Sequence, residues 1–221
     1  MYDYYAIIWF LLSCVFVRSM YFLVDKKLKK YKRYANLPRF RQMYIQKNLI
    51  KSIYLAFLTV YATFAVILQI VNTDTWDNHI IHRVAALYVS NDFVGLVCVD
   101  SLPKTTRIHH IVTTILVSAA LSIDFQTSDI GKAMLVYTMA SASAYIVNLH
   151  LAVRWLWPPN TLRWLRYIAG VIYVTCCCLS WIWHLVWIVS VDISLYHLCY
   201  LLTLVWIVRD DIILMQWLTR D

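Results

Sequence analysis

Long apolar runs separated by short polar connections dominate this chain. Seven such runs occupy about residues 4–24, 52–71, 79–100, 106–123, 132–156, 164–190 and 193–217. Each approaches the roughly 20 apolar residues that a helix needs to cross hydrocarbon. No ten-residue stretches of period-two alternation occur, which argues against an outer-membrane barrel. The pattern therefore predicts an all-α polytopic membrane protein with seven transmembrane helices.

The connections supply an independent test of that count. Residues 25–51 hold ten of the twenty Lys and Arg, 101–107 hold Lys104 and Arg107, and 154–166 hold Arg154, Arg163 and Arg166. The alternate connections carry Asp74 and Asp77, then Asp124 and Asp129 with Lys132, then Asp192. Basic residues thus gather on one side at every crossing, which puts the N-terminus outside, lumenal in an endomembrane, and the C-terminus in the cytosol. No basic residue precedes the first run and Lys26 and Lys27 follow it, the pattern of a retained anchor. The basic stretch after it reads as a helical extension, then a surface segment around Pro38 that re-enters the membrane at Lys51. The expected division is an anchor with a basic cytosolic segment at 1–46 and a six-helix domain at 47–218.

Polar residues inside the apolar runs locate the candidate chemistry, because ionisable groups are costly at membrane depth. The third run carries Arg83, Asn91 and Asp92, the fourth opens with His109 and His110, and the fifth ends with Asn148, His150 and Arg154. The two adjacent histidines point about 100° apart on a helix and so can do different jobs. The last run is expected to continue to Trp217, leaving Arg209, Asp210 and Asp211 in the inner leaflet in need of partners, a cost that a mutual Arg–Asp pairing and a cavity would lower. His184 reads as a packing contact. SASA at 141–144 is a strip of small residues suited to close helix contact.

Composition narrows the classes. Hydrophobic residues make up 62% and charged residues 14%, which excludes disorder. The net charge of +8 reads as topology and attraction to anionic headgroups; with no nucleic-acid-binding motif beside it, no nucleic-acid partner is expected. Six cysteines form no CxxC pair, and His79 with His82 lacks a third ligand, so no metal is expected. Scattered histidines also fall short of the several His boxes of di-iron lipid oxidases. A homodimer is compatible with the sequence without being required by it.

KNLIKS before the second run, YVSND in the third and RIHHIVTTIL in the fourth resemble, in that order, the TLC domain family. The resemblance covers about residues 47–218 and carries implications for fold and activity. It implies a six-helix bundle around a lipid cavity in the endoplasmic reticulum. His109 and His110 would be catalytic, with Asp92 as a supporting acid. A ceramide-synthase-like N-acyltransferase of this kind takes long-chain acyl-CoA as co-substrate, a sphingoid base as acceptor, and holds no bound cofactor. The fifth run departs from the acidic pattern of ceramide synthases and is closer to the small TLC-domain-containing proteins, whose serine–asparagine–arginine pattern Asn148 and Arg154 match. Asp210 or Asp211 falls on a family-type position in the last helix. Substrate contacts are accordingly expected from Tyr88, Asn148, Arg154 and Asp211.

Three functional classes follow. An acyltransferase would use an imidazole as base or acyl carrier, with Asp92 orienting the ring. A non-catalytic protein that binds or senses membrane lipids would use the same cavity without chemistry. A cargo receptor would need larger exposed loops than these short connections offer.

Overall fold

The computed structural model describes residues 3–100 and 102–219, and every regular element among them is helical. Helix α1 spans Tyr4–Leu28, and α2 is a single turn at Lys32–Ala35. Helix α3 (Arg39–Ala62) runs through a π turn at Thr63–Ile67 into α4 (Leu68–Thr73), making one rod. Helices α5 (Asn78–Cys98) and α6 (Lys104–Ala120) follow. Next, α7 (Asp129–Ala142) and α8 (Tyr145–Val153) form a rod broken at Ser143 and Ala144. A 3₁₀ turn at Pro159–Leu162 leads into α9 (Arg163–Ser190), and α10 is Leu195–Thr219.

Local chemistry sets the ends. Pro38 and Pro103 stand just before α3 and α6, where a missing N–H costs nothing. Asp3, Asp77 and Ser128 cap α1, α5 and α7 through side-chain oxygens that accept first-turn N–H groups. Asp74 ends α4 with φ 49°, a left-handed conformation that Asp tolerates better than most residues.

The rods close a ring. In sequence around it, α3 packs on α5, α5 on α6, α6 on α10, α10 on α9, α9 on α7 and α8, and α8 back on α3. Helix α1 stays outside, against α5 and α3. The main core fills the half of the ring where α5 begins and α9 ends, with Leu55, Leu58, Val84, Tyr88, Tyr137, Trp187 and Leu204. Large apolar side chains also face outward, among them Leu11, Phe16, Phe57, Leu179, Leu185, Leu202 and Val205. A belt of that extent suits a lipid surround and not water.

Among the described residues, five stretches are long and apolar enough to cross a membrane: Tyr4–Leu28, Arg39–Thr73, Asn78–Cys98, Asp129–Val153 and Asn160–Ser190. Helix α6 has 17 residues, and α10 carries Arg209, Asp210 and Asp211 within its length. These two fall outside that set for length and for charge.

One expected segment is different. The surface stretch predicted before Lys51 is instead the first three turns of α3, and the helix passes residue 47 without a break. Gln42, Ile45, Gln46, Lys47 and Asn48 are buried there. Gln42 donates to the carbonyls of Tyr34, Ala35 and Leu37, and Gln46 to Asp25 and the Tyr34 hydroxyl, so the polar groups that read as a solvated face are consumed internally.

Candidate functional site

A polar chamber of about 280 Å³ lies inside the ring, at the end where α3, α6 and α9 begin and α8 and α10 finish. Its α3 wall comes from Tyr44, Lys47, Asn48 and Lys51, spaced i, i+3, i+4 and i+7 on one helix face. Helix α8 adds Asn148, Leu151 and Arg154, and α6 adds His109 and His110. Asp210, Asp211 and Trp217 come from α10. One wall is basic and the facing one is acidic.

Asp92, 1% exposed, is the hub beside this chamber. Lys51 Nζ donates to its Oδ1 at 2.5 Å, and His110 Nδ1 lies 3.0 Å from its Oδ2, at ion-pair range though off hydrogen-bond alignment. A carboxylate so deep in an apolar ring needs both neighbours. With Nδ1 turned to Asp92, His110 Nε2 is left buried and without a partner. Thr113 and Thr114 hydroxyls hydrogen-bond the His110 carbonyl and so fix the backbone that aims the ring.

His109 sits edge-on to His110, ring centroids 5.7 Å apart, with Nδ1 3.6 Å from Asp210 Oδ2. Both histidines therefore line the chamber, each with its own carboxylate. Asp211 is the floor: it accepts from Tyr137 at 2.8 Å and Tyr173 at 2.7 Å. Beneath it a void of about 30 Å³, about one water, is bounded by Tyr88, Thr113 and Ile207. A further cleft of about 480 Å³ opens at the far end and shares Leu116, Met134 and Tyr200 with that void.

Two cations in the chamber have no carboxylate. Lys47 is 4% exposed, and no hydrogen-bond or ion-pair partner meets its Nζ among the described residues. Arg154 lies over the rings of Trp217, Trp155 and Tyr44 at 4.7, 5.0 and 5.4 Å, with its Nε unpartnered. Aromatic faces hold a guanidinium by cation–π attraction while leaving its edge free to bind.

Of the residues the sequence pointed to, His109, His110, Asn148, Arg154 and Asp211 line the chamber, and Asp92 supports it from behind. Tyr88 does not reach it. Its hydroxyl pairs with Ser141 at 2.7 Å and its ring borders the void below. Arg209 makes no pair with Asp210 or Asp211; it is exposed and lies 5.8 Å from the Trp206 ring. Residues one and two apart on a helix do not face each other, which is why that pairing fails. His184 bonds the Ser180 carbonyl and the Tyr200 hydroxyl through its two nitrogens. Lys47, Lys51, Tyr137, Tyr173 and the particular role of Asp210 were missed. The helical spacing of Tyr44, Lys47, Asn48 and Lys51 was the available signal.

No group of three or more His, Cys, Asp or Glu among the described residues is placed to hold a metal ion. Compared with family models, curated proteins and solved structures, the chain matches none.

Proposed function

We propose that this is a seven-crossing membrane protein of the endoplasmic reticulum that handles acyl lipids, with the chamber at its cytosolic end and acyl transfer from long-chain acyl-CoA to an amine as its chemistry. The observation that carries the reading is the Lys51–Asp92–His110 chain, which ends in a bare, buried imidazole nitrogen at the chamber wall. Asp92 lies at ion-pair range of the Nδ1 edge and supports the imidazolium, as a carboxylate does in nucleophile–base–acid constellations generally. His110 Nε2 takes a proton from the attacking amine as the C–N bond forms. The thioester C–S bond breaks, and the proton passes to the leaving thiolate. Lys47 and Arg154 supply positive charge for the donor's phosphates, and Asp210 beside His109 supplies negative charge for the acceptor's ammonium, which gives up one proton to water before the neutral amine attacks. The short α6 and the charged α10 cross the bilayer because their polar residues turn into the ring. The resemblance to the TLC family, including a sphingoid base as the amine, agrees with this placement.

A second reading has its own support. The Tyr137–Asp211–Tyr173 floor closes the chamber to a volume near the lower end of small-molecule sites, and the void of about 30 Å³ below it is too small for a long chain. A protein that only binds or senses lipid headgroups at this chamber needs nothing more.

Purified protein is incubated with long-chain acyl-CoA and a panel of amines, and products are read by mass spectrometry beside His110→Ala. Acylated amine from wild type and a loss of about 100-fold or more in the variant support transfer. Bound lipid without product across the panel moves the assignment to the binding reading.

A further inference from the structure

On the outer side of the ring, α1, α3 and α5 enclose a second space, a groove of about 1010 Å³. Helix α1 presents Cys14, Arg18, Tyr21 and Asp25 to it, spaced i, i+4, i+7 and i+11 along one face. Helix α3 presents Arg39, Met43 and Gln46, and α5 closes the groove with Phe93, Val94 and Val97. Its two ends differ in chemistry. Around Asp25 it is polar, and towards Cys14 and Phe93 it is apolar. From residue 14 to residue 25 the groove runs about 16 Å, close to the depth of one leaflet.

Charge at the polar end does not balance. Asp25 is already held by Lys29 at 2.7 Å and Arg39 at 3.2 Å, and it also accepts from the Tyr34 hydroxyl and Gln46. Arg18 is exposed on the groove and has no carboxylate within ion-pair range among the described residues. It sits seven residues inside Asp25, about 10 Å deeper into the apolar stretch, where an arginine without an anion is unfavourable. One turn on, Tyr21 is 3% exposed and its hydroxyl has no hydrogen-bond partner.

We propose that this groove is a binding site for one anionic glycerophospholipid of the cytosolic leaflet, separate from the chamber. The phosphate sits against Arg18 with Arg39 at the groove mouth, and an acyl chain lies along Val15, Phe93 and Val97. Net positive charge selects an anionic headgroup over a zwitterionic one, and the apolar end selects a lipid over a free phosphate. The site touches α3 one turn before Lys47 and Lys51, so its occupant also braces the wall that carries them.

The test is native mass spectrometry of the full chain in mild detergent, titrated with phosphatidylserine, phosphatidylcholine or glycerol 3-phosphate. Wild type is expected to hold phosphatidylserine about five- to ten-fold more tightly than phosphatidylcholine, and glycerol 3-phosphate not at all. Arg18→Leu is expected to erase the preference and Arg18→Lys to retain most of it, with melting temperatures unchanged because the side chain is exposed. Equal binding of the two lipids by wild type, an undiminished preference in Arg18→Leu, or glycerol 3-phosphate binding as well as the lipid would each overturn the proposal.

Discussion

The two ends of the helical ring both hold buried carboxylates and imidazoles and use them differently. At the far end, Asp3 caps α1 and meets His79 at 3.1 Å and His82 at 3.5 Å. His82 Nε2 bonds the Ile123 carbonyl, and Asn78 bridges the Asp124 carboxylate and the Phe125 N–H. Carboxylates and imidazoles there stitch α1, α5 and the α6–α7 connection together. At the chamber end His110 Nε2, Lys47 Nζ and Arg154 Nε lack partners among the described residues and belong to side chains that line a cavity; His82 Nδ1 and Arg83 Nε at the far end lack hydrogen bonds too, although His82 Nδ1 has Asp3 within ion-pair range. Buried polar groups that close on one another specify a structure, while buried polar groups left open are costly and wait for a ligand.

The largest effect expected from this contrast separates two histidines. His110→Ala should lower acyl transfer about 100-fold or more with the protein still folded, whereas His82→Ala should affect turnover only as far as it lowers stability. Steady-state rates set beside melting curves decide it, and comparable rate losses in both variants would erase the distinction between the ends. Next comes Asp92→Asn, which strands Lys51 and should cost about 3–5 kcal/mol; Asp92→Leu combined with Lys51→Met should recover much of that, since a buried pair replaced together is close to neutral. Denaturation in detergent or bicelles reads both.

Lys47→Met should move stability the other way, raising it by about 1 kcal/mol or more because an unpaired buried cation is removed, while affinity for a phosphate-bearing ligand falls. A variant less stable than wild type would show that Lys47 has a structural partner after all. Smaller still, Asp3→Ala should cost about 1 kcal/mol through the lost α1 cap. Partial burial pushes the Asp3 carboxyl up, but hydrogen bonds from His79 and the Ala6 N–H outweigh it and hold it below the ordinary 3.8. Its folded-state value being depressed, its contribution is present above that ordinary value and fades as pH falls below it. Melting temperatures compared across that acid range should converge for wild type and Asp3→Ala.

Much of this arrangement was legible in the chain because membrane depth makes a polar residue informative. Asp92, the His109–His110 pair and Arg154 stand out against apolar neighbours, whereas Pro38, expected in a surface segment, and the caps Asp3, Asp77 and Ser128 show themselves as helix starts only in the structure. Lys47 and Lys51 were obscured for the opposite reason: among ten cations in residues 26–51, a helical phase is hard to distinguish from a solvated charge run. The division of labour between Asp210 and Asp211 was not readable either. Adjacent residues differ by about 100° around a helix, so which one meets His109 is set by the rotation of α10 against α6 and α9. Tyr137 and Tyr173 look like ordinary core aromatics until Asp211 lies between them.

The π turn at Thr63–Ile67 bears on how this chain can vary in length. Such a turn closes i→i+5 and takes in one residue more than an α turn, so it absorbs an insertion without rotating the helix on either side. The chamber face of α3 and the Asp77 cap on α5 lie on opposite sides of that slack. A version of the protein one residue shorter there would read as a continuous α-helix and still keep Lys47, Lys51 and the outer stitch in place, so a single-residue gap is the one indel this rod can accept in silence.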